Sequence, residues 1–477
     1  MQNSLIKDLL GGMMHIEIAE KTVFSVFDGQ NLTNITYLQF AKDILQTAGY
    51  FAENQTTGQH IAILAPNSYQ WVVTFFAIIA TGNIAVPMNE NLPVEILEWQ
   101  CKRADISLIC HNDFANAEAL SEIPSVSFDM LHGLELSVDA LYSHEADETI
   151  LLLFTSGTTG KSKAVTINLE NLFSSSRNMF SVQDELLGKT IPKKELITLP
   201  LFHVGSIRTM MNRILNGGTL AMGRGAKYVF MDMPKLNPTH VGMVPSMAES
   251  LARIMQRTPS EKIANYIGSQ LQGIIAVGAS MKHAVAEYLL KQGLEIVVIY
   301  GMTESTGNGS WCLLDESHIG TIGKPDINMD FRIQDGEILL RSDGVMKGYY
   351  NDSEETARVI VDGWLHTGDM GYCDEDGYYY INGRKKNVII LSNGENVNPE
   401  EIEATFDLCE AIEECLVYSD GKGICADIYT SNQDVAAVYI KQYNESMPMY
   451  RQVYKVNYTD EPLPKTGSGK IKRKENL

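Results

Sequence analysis

The chain has 477 residues, 44% hydrophobic and 20% charged, which excludes disorder, collagen and coiled coil and suits about two to four folding units. Acidic residues number 59 and basic ones 38, a formal net charge of −21, so the surface as a whole repels nucleic acid and anionic lipid. The 7 cysteines are scattered, odd in number and without a CxxC pair, which fits a reducing compartment rather than a disulfide framework.

The first twenty residues are no secretory signal, because Lys7, Asp8, Gly11 and Gly12 interrupt the apolar core that one requires. Trp71–Pro87 is the best membrane candidate, but it is short for a bilayer span and broken by Thr81, Gly82 and Asn83. It predicts a buried helix ending near Gly82 and a buried strand after it. The expectation is a cytoplasmic protein without a membrane span.

Short apolar runs bounded by turn residues recur at Ile61–Ala65, Ile84–Pro87, Leu108–Cys110, Ile150–Phe154, Gly273–Val277 and Glu295–Tyr300. Helical stretches such as Met281–Lys291 lie between some of them. That alternation predicts an α/β fold with layered, largely parallel sheets. After about residue 325 the pattern becomes a β-rich subdomain of short antiparallel strands. Phe331–Ile333 and Glu337–Arg341 flank the hairpin signal Asp335-Gly336, and Tyr378–Ile381 follows the turn Asp374–Gly377. Residues 1–383 thus read as one large N-terminal domain and residues 384–387, within Gly383-Arg384-Lys385-Lys386-Asn387, as a hinge. Residues 388–477 read as a small mobile α+β domain, with a helix at Pro399–Thr405 and strands at Ile424–Tyr429 and Val435–Ile440.

Four segments carry chemistry. In Leu151–Lys163 an apolar strand runs straight into Thr155, Ser156, Gly157, Thr158, Thr159, Gly160 and Lys161. Glycines let successive N–H groups converge on an anion, while the hydroxyls, Lys161 and Lys163 add donors and charge. The segment is a phosphate cradle but not a Walker A loop, since Thr155 stands where that motif needs its first glycine. Tyr300-Gly301-Met302-Thr303-Glu304 follows another buried strand, at the end where α/β sheets place ligands. Glu304 can hold Mg2+, Thr303 can donate to a phosphate and Tyr300 can stack on a base; a polar loop beside a core tyrosine would look alike. In Gly363–Asp369, Asp369 follows a Thr-Gly turn, where it can accept from both ribose hydroxyls or simply close the turn. Asp374–Gly377 is no calcium loop, because Tyr372 and Gly383 occupy its first and last ligand positions. The tail gathers Lys465, Lys470, Lys472, Arg473 and Lys474, as a site or as a solvated basic end.

In this order TSGTTGKSK, YGMTE, GWLHTGD, GRKKN and PKTGSGK resemble the AMP-forming adenylating superfamily of acyl-CoA synthetases, firefly luciferase and peptide-synthetase adenylation domains. The resemblance runs from Asn67 to Lys470 and looks closest to fatty acyl-CoA synthetases. It implies ATP, Mg2+ and coenzyme A, and two half-reactions. A carboxylate attacks the α-phosphate to give acyl-AMP and pyrophosphate; a thiol then expels AMP. By the same resemblance Thr155–Lys163 holds the outer phosphates, Thr303 the α-phosphate and Glu304 the Mg2+. Gly278, Ala279, Ser280 and Tyr300 frame adenine, Gly301 belongs to the nucleotide site beside the acyl pocket, and Asp369 and Arg384 grip ribose. Lys470 is the adenylation lysine, Lys386 the hinge residue, Gly394 part of the thiol tunnel and His203 the gate of the acyl pocket.

The same resemblance forms that pocket from Val204, Gly205, Val244, Ser246, Met247, Met302 and Thr306. No Asp follows Phe202-His203, where amino-acid-activating members carry one, so an acid without an α-amine is expected. The pocket suits a fatty or aromatic acid. LPLFHVGSI resembles succinylbenzoyl-CoA synthetases, whereas GENVNPEEIE and EPLPKTGSGKIKR resemble long-chain acyl-CoA synthetases. Two other functions stay open: loading the pantetheine of a carrier protein in trans, and a non-catalytic nucleotide-binding module. Nucleic-acid binding through the tail conflicts with the net charge and lacks interleaved aromatics.

Overall fold

The structure is a computed structural model and describes residues 5–54, 56–112, 119–155, 162–176, 194–278, 281–391, 395–465 and 471–473. It has the layered α/β architecture that the alternation predicts. Among the described residues, one sheet runs Gly348–Tyr349, Ala164–Asn168, Thr149–Phe154, Ile84–Pro87, His60–Leu64, Ile106–His111, Ser125–Ser127. It is parallel from Thr149–Phe154 onward. A second sheet contains the parallel strands Lys194–Ile197, His240–Met243, Gly273–Val277 and Glu295–Gly301. The helix Tyr69–Ala80 is buried along nearly its whole length, and the Ser68 hydroxyl caps it by accepting from the Trp71 N–H. An apolar helix with no polar face can only sit inside a core. Here Trp71, Phe75 and Phe76 join Phe24, Tyr37 and Phe40 in one cluster.

The β-rich subdomain follows. Asp330–Gln334 and Glu337–Arg341 pair antiparallel around Asp335 (φ +51°) and Gly336 (φ +77°), the paired positive φ values of a type I′ turn. Trp364–Cys373 pairs with Glu337–Arg341 on one side and Tyr379–Arg384 on the other. Thr367-Gly368 is therefore not the turn read from the sequence. It lies inside a ten-residue strand whose register slips there.

Residues from Ile389 onward build their own core, including Ile402, Phe406, Val417, Ala426 and Ile440. Ile412–Ser419, Ile424–Thr430 and Val453–Thr459 form its sheet. The strand expected at Val435–Ile440 is instead part of a helix, Gln433–Ser446. Its apolar run carries no period of two; Asn432 caps the helix, and Ala436, Ile440 and Tyr443 face inward at helical spacing while Val435 and Val438 face out.

Helix Pro399–Phe406 carries Glu403 into this small core. The carboxylate accepts from the Val417 N–H at 2.7 Å and pairs with Arg473 at 2.6 Å. Burial pushes Glu403 up to about 7, although Arg473 pulls the other way. A carboxyl raised above its ordinary 4.5 stabilises the native state at acid pH and gives that up as pH rises to about 7. Stability is thus expected to fall by on the order of 3 kcal/mol across that window from this group, and Glu403→Gln to remove the slope. Thermal melts of both proteins as a function of pH check this; equal slopes would mean that Arg473 keeps Glu403 ionised throughout. Among the described residues no helix is long and apolar enough to cross a membrane.

Candidate active site

Four of the parallel strands of the second sheet end on one edge, and the chain leaves that edge through four predicted site segments. Lys194–Ile197 leads to His203, His240–Met243 to Val244–Met247, Gly273–Val277 to Gly278, and Glu295–Gly301 to Thr303–Thr306. Carboxyl ends of parallel strands are where open α/β sheets bind ligands, because no helix covers them.

The Tyr300–Asn308 segment folds back tightly. A side chain at Gly301 would lie 2.5 Å from the Gly307 carbonyl oxygen, so only glycine fits. Thr303–Ser305 forms a 3-10 turn with Thr306 left-handed (φ +53°) after it. His203 is the exposed cap residue of helix Val204–Leu215, and Val204 packs towards Gly307. The start of that helix and the 301–307 turn are therefore neighbours. Of the other pocket residues, Ser246 is exposed at the start of helix Pro245–Arg257, and Met247 packs on the core of Met243 and Leu251.

On one side of this turn lies positive charge. Thr155 N–H donates to the Lys163 carbonyl at 2.9 Å. The Lys163 ammonium sits 5.0 Å over the Tyr349 ring and pairs with Glu355. The Tyr349 hydroxyl in turn donates to Glu304 at 2.8 Å. Burial, then the Glu304 charge, pushes the Tyr349 hydroxyl up, so it remains a donor. Lys163 and the buried Glu304 are thus joined through one tyrosine. Among the described residues there is no cluster of three or more metal-ligating side chains. A single carboxylate fits Mg2+ that arrives with a polyphosphate, since that ion takes one or two carboxylates and fills its shell with phosphate and water.

On the other side stands Asp369, 2% exposed. It accepts from the Tyr300 hydroxyl at 2.7 Å and pairs with Arg384 at 2.6 Å. Burial and the Asp369 charge raise Tyr300 well above its ordinary value, which keeps its proton on the bond. Asp369 and Arg384 are directly opposite each other in the strand pairing. Asp369 and Arg384, expected together at ribose, are thus in contact, and Tyr300, expected at adenine, joins them through its hydroxyl. Ser156, Gly157, Thr158, Thr159, Gly160, Lys161, Ala279, Ser280, Gly394 and Lys470 lie outside the described residues. The flanks of 466–470 are held: Lys465 and Ile471 form a β-bridge, the Lys472 N–H donates to the Pro464 carbonyl at 2.8 Å, and Lys465 pairs with Glu414 at 2.5 Å.

Several supports were missed in the sequence. Arg208, buried on helix Val204–Leu215, donates to the Gly307 carbonyl at 2.9 Å and to Asn308 at 3.1 Å, and pairs with Asp326 at 2.8 Å. It fastens the 301–307 turn from behind. A charge on the apolar helix face beside Ile207 and Met211 was the available signal. Tyr349 and Glu355, which hold Lys163, and Glu337, which binds Lys385 at 2.9 Å, left none.

The AMP-binding enzyme family model matches residues 19–350, and the model of the AMP-binding enzyme C-terminal domain matches residues 386–477. A 2-succinylbenzoate–CoA ligase of Bacillus cereus (strain Q1) is 28% identical over 466 residues, covering 92% of this chain and 93% of the relative. O-succinylbenzoate coenzyme A synthetase from Bacillus subtilis, solved with AMP, superposes with a TM-score of 0.83 at 23% identity over 98% of this chain and 99% of that one. A fatty acyl CoA synthetase of Mycobacterium tuberculosis gives 0.75 at 22% identity over 98% and 96%. With the family model spanning most of the large domain and a second one the small domain, the chain belongs to the AMP-binding enzyme family.

Proposed function

We propose that the protein is an ATP-dependent ligase that joins an aromatic carboxylic acid to coenzyme A through an acyl-AMP intermediate, releasing pyrophosphate and AMP. The observation that carries this is the placement of two groups at the ends of one five-residue segment. Tyr300, Asp369 and Arg384 gather at its start, and Glu304, Tyr349 and Lys163 at its end. A nucleotide laid along Tyr300–Glu304 has its ribose at the first group and its phosphates at the second. Two anions must meet in this reaction, so the site has to supply donors and positive charge where charge develops. Lys163 supplies charge, Thr303 a hydroxyl, and Glu304 holds Mg2+, which when bound neutralises phosphate charge. Residues 388–477 turn about the 384–387 hinge, bringing Lys470 in for the first half-reaction and Gly394 for the second. The aromatic assignment is favoured over the fatty one because the 2-succinylbenzoate ligase relative is 28% identical over nine-tenths of both lengths, against 22% for the fatty acyl CoA synthetase.

Pyrophosphate release over a panel of aromatic and aliphatic acids, with and without coenzyme A, tests this. An aromatic acid should be turned over when coenzyme A is present. Turnover restricted to saturated fatty acids would overturn the substrate class, and absence of acid-dependent release the reaction. Asp369→Ala is expected to weaken ATP binding at least about tenfold, because ribose loses a charged acceptor. Unchanged affinity by calorimetry would reduce Asp369 to an anchor for Tyr300 and Arg384.

A further inference from the structure

We infer that Glu337 is a positioning residue that ties the Asp369 strand to the hinge of the small domain, an inference that rests on the ligase reading. Glu337 opens strand Glu337–Arg341, and its side chain is 5% exposed. The neighbouring strand does not keep step with it. Glu337 lies opposite Met370 and Leu339 opposite His366, so Thr367, Gly368 and Asp369 face one residue, Ile338. The extra length has to arch out of the ladder, which leaves the Gly368 N–H without a strand acceptor. The Glu337 carboxylate takes that N–H through Oε1 at 2.9 Å. Thr367 braces the same arch, donating to the Ile338 carbonyl at 2.6 Å and accepting from the Asp369 N–H at 3.0 Å. Asp369, the last residue of the arch, is thereby aimed at Tyr300 and Arg384.

The other oxygen of Glu337 faces the hinge. Oε2 accepts from the Lys385 ammonium at 2.9 Å and from His366 Nδ1 at 3.1 Å. Lys385 begins the short turn Lys385–Asn387. One nearly buried carboxylate therefore holds the arch that aims Asp369 with one oxygen and the hinge with the other. Burial opposes its charge, yet Lys385, His366 and the Gly368 N–H together keep the carboxyl below its ordinary value. A rotation of the small domain that starts at or before Lys385 must either break the Lys385 contact or pull on the group that aims Asp369. The hinge and the ribose grip then cannot move independently.

The test separates this from simple capping of the arch. In Glu337→Gln the amide oxygen still accepts from Gly368, but the charge facing Lys385 is gone. Hydrogen exchange of the 383–388 backbone should rise roughly two- to fivefold, the range for losing a half-exposed ion pair. AMP affinity by calorimetry should stay within about twofold, because the arch keeps its acceptor. Lys385→Gln should give the same exchange increase, and the double variant no further increase, since both remove one contact. Glu337→Ala should in addition weaken AMP about tenfold. Wild-type exchange in both Gln variants, or increases that multiply in the double, would overturn the coupling; unchanged AMP affinity in a folded Glu337→Ala would overturn the arch role. These readouts need no turnover, so an inactive wild type would count against the ligase reading and leave this one standing.

Discussion

Lys470→Ala is expected to lower acyl-AMP formation by at least about 100-fold while largely sparing thioester formation from supplied acyl-AMP. The size follows from losing a charged donor used mainly in the transition state, which costs on the order of 3 kcal/mol. The selectivity requires that nothing but the Lys470 side chain changes. Its flanks are anchored by groups the substitution leaves alone: the Lys465–Ile471 bridge, the pair of Lys465 with Glu414, and Arg473 on Glu400 at 3.0 Å and Glu403 at 2.6 Å. The small domain should fold as before, so a loss confined to the first step reports on the ammonium itself. Acid-dependent exchange of pyrophosphate into ATP reads the first half-reaction, and appearance of acyl-CoA from synthetic acyl-AMP reads the second. Equal losses in both would refute the role.

Lys386→Pro is expected to leave one equivalent of pyrophosphate released per site and to slow coenzyme A turnover by about tenfold or more. Lys386 lies between Arg384, which Asp369 holds, and Ile389, which enters the small core. Proline fixes φ near −65° and removes a backbone donor. That φ suits the short 3-10 turn already present but forbids the change a rotating hinge must make. Proline also narrows the conformations open to Lys385, so the melting temperature must be followed in parallel. A normal melt with normal thioester turnover would refute domain alternation about this residue; a lowered melt with both steps reduced would mark general destabilisation instead.

The parallel sheets and the ordered motifs were legible because their signals are local. Ile84–Pro87 and Gly273–Val277 are strands with the bounds their apolar runs suggest, since burial on both faces leaves an uninterrupted apolar run between turn residues. The same cue failed at Val435–Ile440, where a continuous run is equally compatible with a helix and the deciding residues, Asn432 and Tyr443, lie outside it. Asp369 was picked out, but the arch that presents it was not, because the arch exists only in the register between Glu337–Arg341 and Trp364–Cys373. Arg208–Asp326 and Glu337–Lys385 join residues far apart in the chain. Such pairs are set by how layers stack, which no local pattern records.

The most direct test of the proposed chemistry is a single-turnover quench with ATP labelled in its α-phosphate, an aromatic acid and no coenzyme A. Label should move into acyl-AMP, up to one equivalent per site, and pass to free AMP as acyl-CoA forms once coenzyme A is added. Label emerging as ADP would mean attack at the γ-phosphate and an acyl-phosphate route, and would contradict the adenylating mechanism.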